Sequence, residues 1–164
     1  MNKKELTEAD IRSKFITPAI TGAGAAKWDL MTQVLEERYF TKGRVIVHGK
    51  TVRRGEAKKA DYILFYKPNI PLAVVEAKDN NHSVGAGMQQ ALEYAEILDV
   101  PFAFSSNGDA FLEHDRTGGD GPVEREIPLD QFPSPEELWA RYSKAKGYTA
   151  GQEAVSFQNQ TERP

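Results

Sequence analysis

Asp61, Glu76 and Lys78 are the residues of this 164-residue chain whose types and spacing best suit chemistry. Asp61 opens one apolar run, Tyr62-Ile63-Leu64-Phe65-Tyr66, and Glu76-Ala77-Lys78 closes the next, Leu72-Ala73-Val74-Val75. Runs rich in β-branched and aromatic residues read as strands, and Lys67-Pro68-Asn69-Ile70-Pro71 between them reads as a short connection. The pair then forms a hairpin with the aspartate at one end and the acid–lysine pair at the matching end. Side chains alternate across a strand, so Glu76 and Lys78 share a face while Ala77 points the other way. Two carboxylates and an ammonium converging at a strand end suit a divalent cation and a phosphodiester. Mg²⁺ takes oxygen ligands and keeps several waters, so two carboxylates are a sufficient protein share. Such an ion lowers the pKa of coordinated water and neutralises phosphate oxygens. Lys78 is then the group that orients the attacking water or offsets charge building on the phosphate. Taken singly, each of the three is an ordinary strand-end charge of the kind that forms surface ion pairs.

The elements around these strands follow from periodicity and turn chemistry. Thr7-Glu8-Ala9-Asp10 has the form of a capping box, with Asp10 in place of the usual Glu or Gln. Ile11 and Phe15 then share a helix face that Pro18 is expected to end. Residues 21–26 read as a flexible connection, and Trp28, Met31, Leu35 and Tyr39 recur at helical spacing, predicting an amphipathic second helix. Glu36 and Glu37 fall on its solvated face. Val45-Ile46-Val47 predicts a strand, and the basic stretch from Lys50 to Lys59 a hairpin running into Asp61, placed to meet phosphates. Ser83 to Leu98 carries a helical pattern in which Gln90 and Tyr94, four apart, share a face. His82 falls in the polar loop before it, as a solvated histidine. Phe102-Ala103-Phe104 and Asp109-Ala110-Phe111-Leu112-Glu113 flank Asn107-Gly108, a strong hairpin signal. A glycine-rich loop, 118–122, precedes a last helix with Ser134 as N-cap and Pro135 in its first position. This order suits an α/β fold, a mixed sheet with helices packed on it.

Composition excludes several classes. The length fits one domain, and 40% hydrophobic with 27% charged residues is ordinary for a soluble globular protein. No apolar run approaches the roughly 20 residues of a membrane span, and Met1-Asn2-Lys3-Lys4-Glu5 lacks the apolar core of a signal peptide. With no cysteine there is no disulfide or thiolate chemistry, and the expected compartment is the cytoplasm. The formal charge of −3 is unlike that of a protein gripping nucleic acid through a net basic face, so much of any such grip is expected from elsewhere. Gly43 and Gly49-Lys50-Thr51 miss P-loop spacing, with five intervening residues instead of four, so nucleotide binding is not expected here. No helix-turn-helix or zinc-finger pattern reads bases.

Asp61 followed by Glu76-Ala77-Lys78, with Ala60 where proline is frequent, resembles the PD-(D/E)XK nuclease superfamily. Gln90-Ala91-Leu92-Glu93-Tyr94 adds a Gln-x-x-x-Tyr motif. The ordered set is similar to the nuclease domain that opens the restriction (R, motor) subunit of type I restriction enzymes. Leu6-Thr7-Glu8-Ala9-Asp10-Ile11-Arg12 and the stretch from Val100 to Gly108 extend the likeness over most of residues 6–140. The resemblance implies a restriction-endonuclease-like mixed central sheet flanked by helices over 1–155, with 156–164 a polar tail leading to a following domain. It implies Mg²⁺, replaceable by Mn²⁺, held by Asp61, Glu76 and the main-chain carbonyl of Ala77. Lys78 would carry catalysis, with Gln90 and Tyr94 bordering the site. Double-stranded DNA would be the substrate. A helicase-like motor domain, through which alone ATP acts, and specificity and modification subunits would be partners. Two other expectations remain: a non-catalytic DNA-binding or assembly module on the same scaffold, and a stand-alone repair nuclease of the superfamily.

Overall fold

The structure, a computed structural model, describes residues 2–22, 27–41, 44–45 and 58–147. Ile46 and Val47 of the expected strand, the basic segment up to Ala57 and the tail beyond Gly147 lie outside the described residues. Among the described residues, seven strands form one sheet in the order β2-β1-β3-β4-β5-β6-β7. They are β1 (Val34–Thr41), β2 (Arg44–Val45), β3 (Lys58–Lys67), β4 (Ile70–Ala77), β5 (Phe102–Ser106), β6 (Ala110–Asp115) and β7 (Glu124–Pro128). The helices are α1 (Glu8–Ile11), a π-helical turn (Arg12–Ile16), α2 (Thr17–Thr21), α3 (Met88–Leu98) and α4 (Pro135–Lys146). The expected mixed α/β sheet flanked by helices is the fold observed.

Local chemistry explains the strand order. Pro68-Asn69 joins β3 to β4, with Asn69 at φ 68° supplying the left-handed residue the tight turn needs. Among the described strands only β4 and β5 run parallel. A parallel pair needs a crossover, and α3 is that crossover. Gly108, at φ +91°, turns the chain between β5 and β6 as the Asn-Gly signal predicts. Ser134 caps α4 by accepting the Glu137 N–H at 3.1 Å. Thr7 and Asp10 form the expected capping box on α1.

Four expectations are corrected. The amphipathic helix from Trp28 to Tyr39 is instead a turn followed by strand β1: the Asp29 side chain accepts the Met31 N–H and the turn closes at Gln33. Met31, one of the four supposed core positions, is 87% exposed, while Val34 and Phe40 are buried. Spacing of three and four was coincidental; aromatic and β-branched content governed. Pro18 does not end the first helix. The Thr17 N–H reaches back to Arg12 O, and this widened turn makes room for the proline ring before the helix continues to Thr21. The third helix begins at Met88, not Ser83, because Gly85 and Gly87 occupy turns packed tightly on the sheet. Strand β7 was not expected, being a charged edge strand with only Ile127 buried.

The sheet is covered on both faces. One face packs Tyr62, Val75 and Phe104 against Ile11, Ile16 and Ile20 of the N-terminal helical run and Leu138 of α4. The other packs Ile63, Val74 and Ala103 against Ala91, Tyr94, Ala95 and Leu98, one stripe of α3. Small Ala91 and Ala95 let α3 lie close to the strands. Alternation along β4 therefore aims Val74, Glu76 and Lys78 at the α3 side.

Candidate functional site

Asp61 and Glu76 clasp one another across the β3–β4 hairpin. The Asp61 N–H donates to Glu76 Oε2 at 2.9 Å, and the Ala77 N–H donates to Asp61 Oδ2 at 2.8 Å. The register explains this. Backbone pairing runs to Tyr62↔Val75, and the next positions along are Asp61 and Glu76, whose carboxylates take over the amides there. Glu76 is only 3% exposed. Two backbone donors favour the ionised carboxylates, and burial beside a like charge opposes them. Burial prevails: it and the neighbouring Asp61 push the Glu76 carboxyl up to about 8, against the pull of the Asp61 N–H and Lys78. Burial likewise holds Asp61 above its ordinary range, against the Ala77 N–H and the Arg12 charge.

Lys78 follows directly, its N–H held by Ser106 O on β5 at 2.9 Å, and its charge draws down the Asp61, Glu76 and Glu8 carboxyls alike. Ala77 points the other way, into the core facing the N-terminal helices, as alternation predicts. Gln90 and Tyr94 are brought together on α3: Gln90 Nε2 donates to the Tyr94 hydroxyl at 2.6 Å. The Tyr94 ring packs edge-on to Phe40 at 5.0 Å, and burial with Glu76 nearby raises its hydroxyl. Sequence reasoning therefore placed Asp61, Glu76, Lys78 and Tyr94 in one neighbourhood, with Gln90 reaching it through the Tyr94 hydroxyl.

What seats α3 against this cluster is a buried hydroxyl. Ser105, fully buried and paired with Glu76 in the β4–β5 register, accepts the Gly87 N–H at 2.9 Å and donates to Val84 O at 2.8 Å. A Cβ at Gly87 would stand 3.0 Å from Ser105 Oγ and 3.3 Å from Glu76 Cβ, so any larger residue there would press on both by a few tenths of an ångström. Neither residue was singled out from sequence, although the short glycine repeat before α3 was a signal.

Glu8 is the other residue that was missed. It lies in the first turn of α1, and partial burial with Asp61 close by holds its carboxyl above the usual range. The anchors of the N-terminal segment explain its position: Lys4 Nζ donates to Asn80 O and Asn81 Nδ2 donates to Lys4 O, tying the chain to the loop after Lys78. Its signal was the capping box, which fixes where the helix begins. Glu37, left aside as a solvated helix residue, is instead on β1 with φ 52° and adds its charge at Asp61. His82 sits exposed in the loop with Nδ1 2.9 Å from Asp79 Oδ1, as a solvated loop histidine would. Among the described residues no group of three or more His, Asp or Glu side chains is arranged to hold a metal ion. What the hairpin offers is a pair of acids with a main-chain carbonyl. Lys58 and Lys59 are the only described members of the basic segment.

Known proteins with similar sequences and structures can be set beside this geometry. Residues 45–121 match the family described as type I restriction enzyme R protein N terminus. The chain is 50% identical over 160 residues to the type I restriction enzyme EcoAI endonuclease subunit of Escherichia coli, covering 97% of this chain and 19% of that protein. A solved fragment described as an HsdR subunit of a type I restriction enzyme from Vibrio vulnificus YJ016 superposes with a TM-score of 0.71 at 43% identity. That match covers 88% of this chain and 27% of the fragment, so the chain spans about a fifth to a quarter of the relatives' lengths.

Proposed function

Since the chain belongs to the family of N-terminal domains of type I restriction enzyme R subunits, we propose that it is the DNA-cleaving domain of such a subunit. The observation that carries this reading is the reciprocal clasp of Asp61 and Glu76, with Lys78 on the same face and α3 packed over it. The donor set fits Mg²⁺. Two carboxylates are crowded at the carboxyl end of β4, where burial raises the proton affinity of both and Asp61 adds to that of Glu76, and a divalent cation relieves that strain with hard oxygen ligands. Asp61, Glu76 and the Ala77 carbonyl would hold the ion, with Glu8 at the rim of the same cluster. When bound, it would supply a more acidic water and neutralise phosphate oxygens. Lys78 orients the attacking water and offsets charge on the phosphate. Gln90 and the Tyr94 hydroxyl, acting as one hydrogen-bonded unit, border the nucleotide strand.

Cleavage on this reading is non-specific in sequence. Double-stranded DNA is the substrate; ATP acts only through a helicase-like motor domain, and specificity and modification subunits supply recognition. Incubating supercoiled plasmid with the chain and Mg²⁺ or Mn²⁺, beside its Glu76→Ala variant, tests the reading. The variant should fold and lose both cleavage and calorimetric Mn²⁺ binding. Undiminished cleavage by a purified Glu76→Ala protein refutes the assignment.

A further inference from the structure

Two partly buried arginines among the described residues, Arg141 and Arg12, are held in different ways. Arg141 makes short contacts to buried Glu113, at 2.9 Å from each terminal nitrogen, and a third at 3.0 Å to Asp115. That is the pattern of a structural ion pair. Arg12 is held loosely. Its Nη2 lies 3.2 Å from Glu36 and its Nη1 3.3 Å from Glu37, one contact to each of two largely exposed carboxylates, the Tyr62 hydroxyl is its further hydrogen-bond partner, and its buried Nε–H has no acceptor. An unsatisfied buried donor costs about 1–3 kcal/mol, so this arrangement is not the best a guanidinium can make.

Its position gives the looseness a meaning. The β1–β3 register pairs Glu36 with Tyr62 and Arg38 with Ala60, so Glu37 stands across from Asp61. Glu37 is at φ 52°, a left-handed conformation that a non-glycine residue rarely adopts inside a strand. The guanidinium lies over the Tyr62 ring, 5.1 Å from its centroid, with Nη1 turned toward this strained position. Arg12 also follows Glu8 by four residues and so shares its helix face.

We propose that Arg12 is a receptor for a phosphodiester oxygen of the nucleic-acid strand lying at Asp61 and Glu76, with Glu36 and Glu37 as place-holders that a phosphate displaces. The inference rests on DNA being the substrate of this site. A phosphate offers two oxygens to the planar fork in place of two single contacts. Arg12 in turn supplies a cationic contact to nucleic acid from a chain whose net charge is −3.

The test is the salt dependence of binding to a short duplex, measured in EDTA for the parent chain, Arg12→Gln, Lys14→Gln and Glu37→Gln. Lys14 is exposed on the same helical run and controls for lost charge alone. Arg12→Gln should lower the slope of log affinity against log salt by about 0.9, which amounts to about an eightfold loss at about 0.1 M salt. Lys14→Gln should change neither by a comparable amount. Glu37→Gln should bind the duplex more tightly than the parent, a gain that damage to folding cannot produce. An Arg12→Gln slope equal to that of Lys14→Gln, or no gain from Glu37→Gln, overturns the inference. Calorimetric Mn²⁺ binding on the same samples tests the metal-site reading separately, since a parent chain that binds duplex but no Mn²⁺ refutes that reading alone.

Discussion

At the scale of single residues, the site is built from groups whose ordinary tendencies are opposed by their surroundings. Glu76 accepts a backbone amide that favours its charge, yet burial and Asp61 together prevail. Tyr94 has two separable parts: a ring packed on Phe40 and a hydroxyl bonded to Gln90. Tyr94→Phe keeps the first and loses the second. Thermal denaturation should show a change of about 1 kcal/mol or less. Single-turnover plasmid cleavage should fall about tenfold, as expected when a positioning contact is lost near reacting groups. An unaltered cleavage rate would reduce Tyr94 to a packing residue.

At the scale of elements, the hairpin brings the two acids together and α3 closes over them. The closure depends on Ser105 and Gly87. Gly87→Ala forces a Cβ against Ser105 Oγ at 3.0 Å and Glu76 Cβ at 3.3 Å, so either α3 or the acid must shift. Overpacking of this kind costs roughly 1–3 kcal/mol. Urea unfolding should register that loss and calorimetry a weakened Mn²⁺ affinity. A variant with parent-like values in both would mean the N-terminus of α3 moves freely without disturbing Glu76. The hairpin, the helix bearing Gln90 and Tyr94, and the cap of α4 were all legible in the sequence, because turn residues and periodicity agreed there. Strand β1 was not: its apolar residues mimic helical spacing, and only pairing with β3 decides between the two.

At the scale of the whole molecule, two charge clusters affect stability differently. Glu113 is fully buried and shared by Arg141, at 2.9 Å, and Arg125, at 3.1 Å, tying β6 and β7 to α4. Arg141→Met leaves that carboxylate with one exposed partner, and chemical denaturation should report a loss on the order of 3 kcal/mol. Glu76 gives the metal-free protein a distinctive pH dependence. Its folded value of about 8 exceeds the ordinary 4.5, so between these limits the folded state holds a proton the unfolded state has released. The contribution is therefore complete below the lower value and lost as pH rises through the upper one. Its steepest slope is about 1.4 kcal/mol per pH unit. Unfolding midpoints of the parent and Glu76→Gln, compared across this window, should converge at low pH and diverge as pH rises, the parent losing stability relative to the variant; parallel curves would show that Glu76 ionises normally.

The sequence by itself determined the hairpin, the face shared by Glu76 and Lys78, the spacing of Gln90 and Tyr94, and the mixed sheet, because strand alternation and helical period are properties of the local chain. Only the tertiary structure decided that Glu8 and Glu37 lie beside Asp61, that Ser105 fastens α3 to Glu76, and that Arg12 is loosely paired. Each of these joins residues far apart along the chain, and no local period records which of many exposed acids, hydroxyls or arginines the packing of two faces will bring to one strand end.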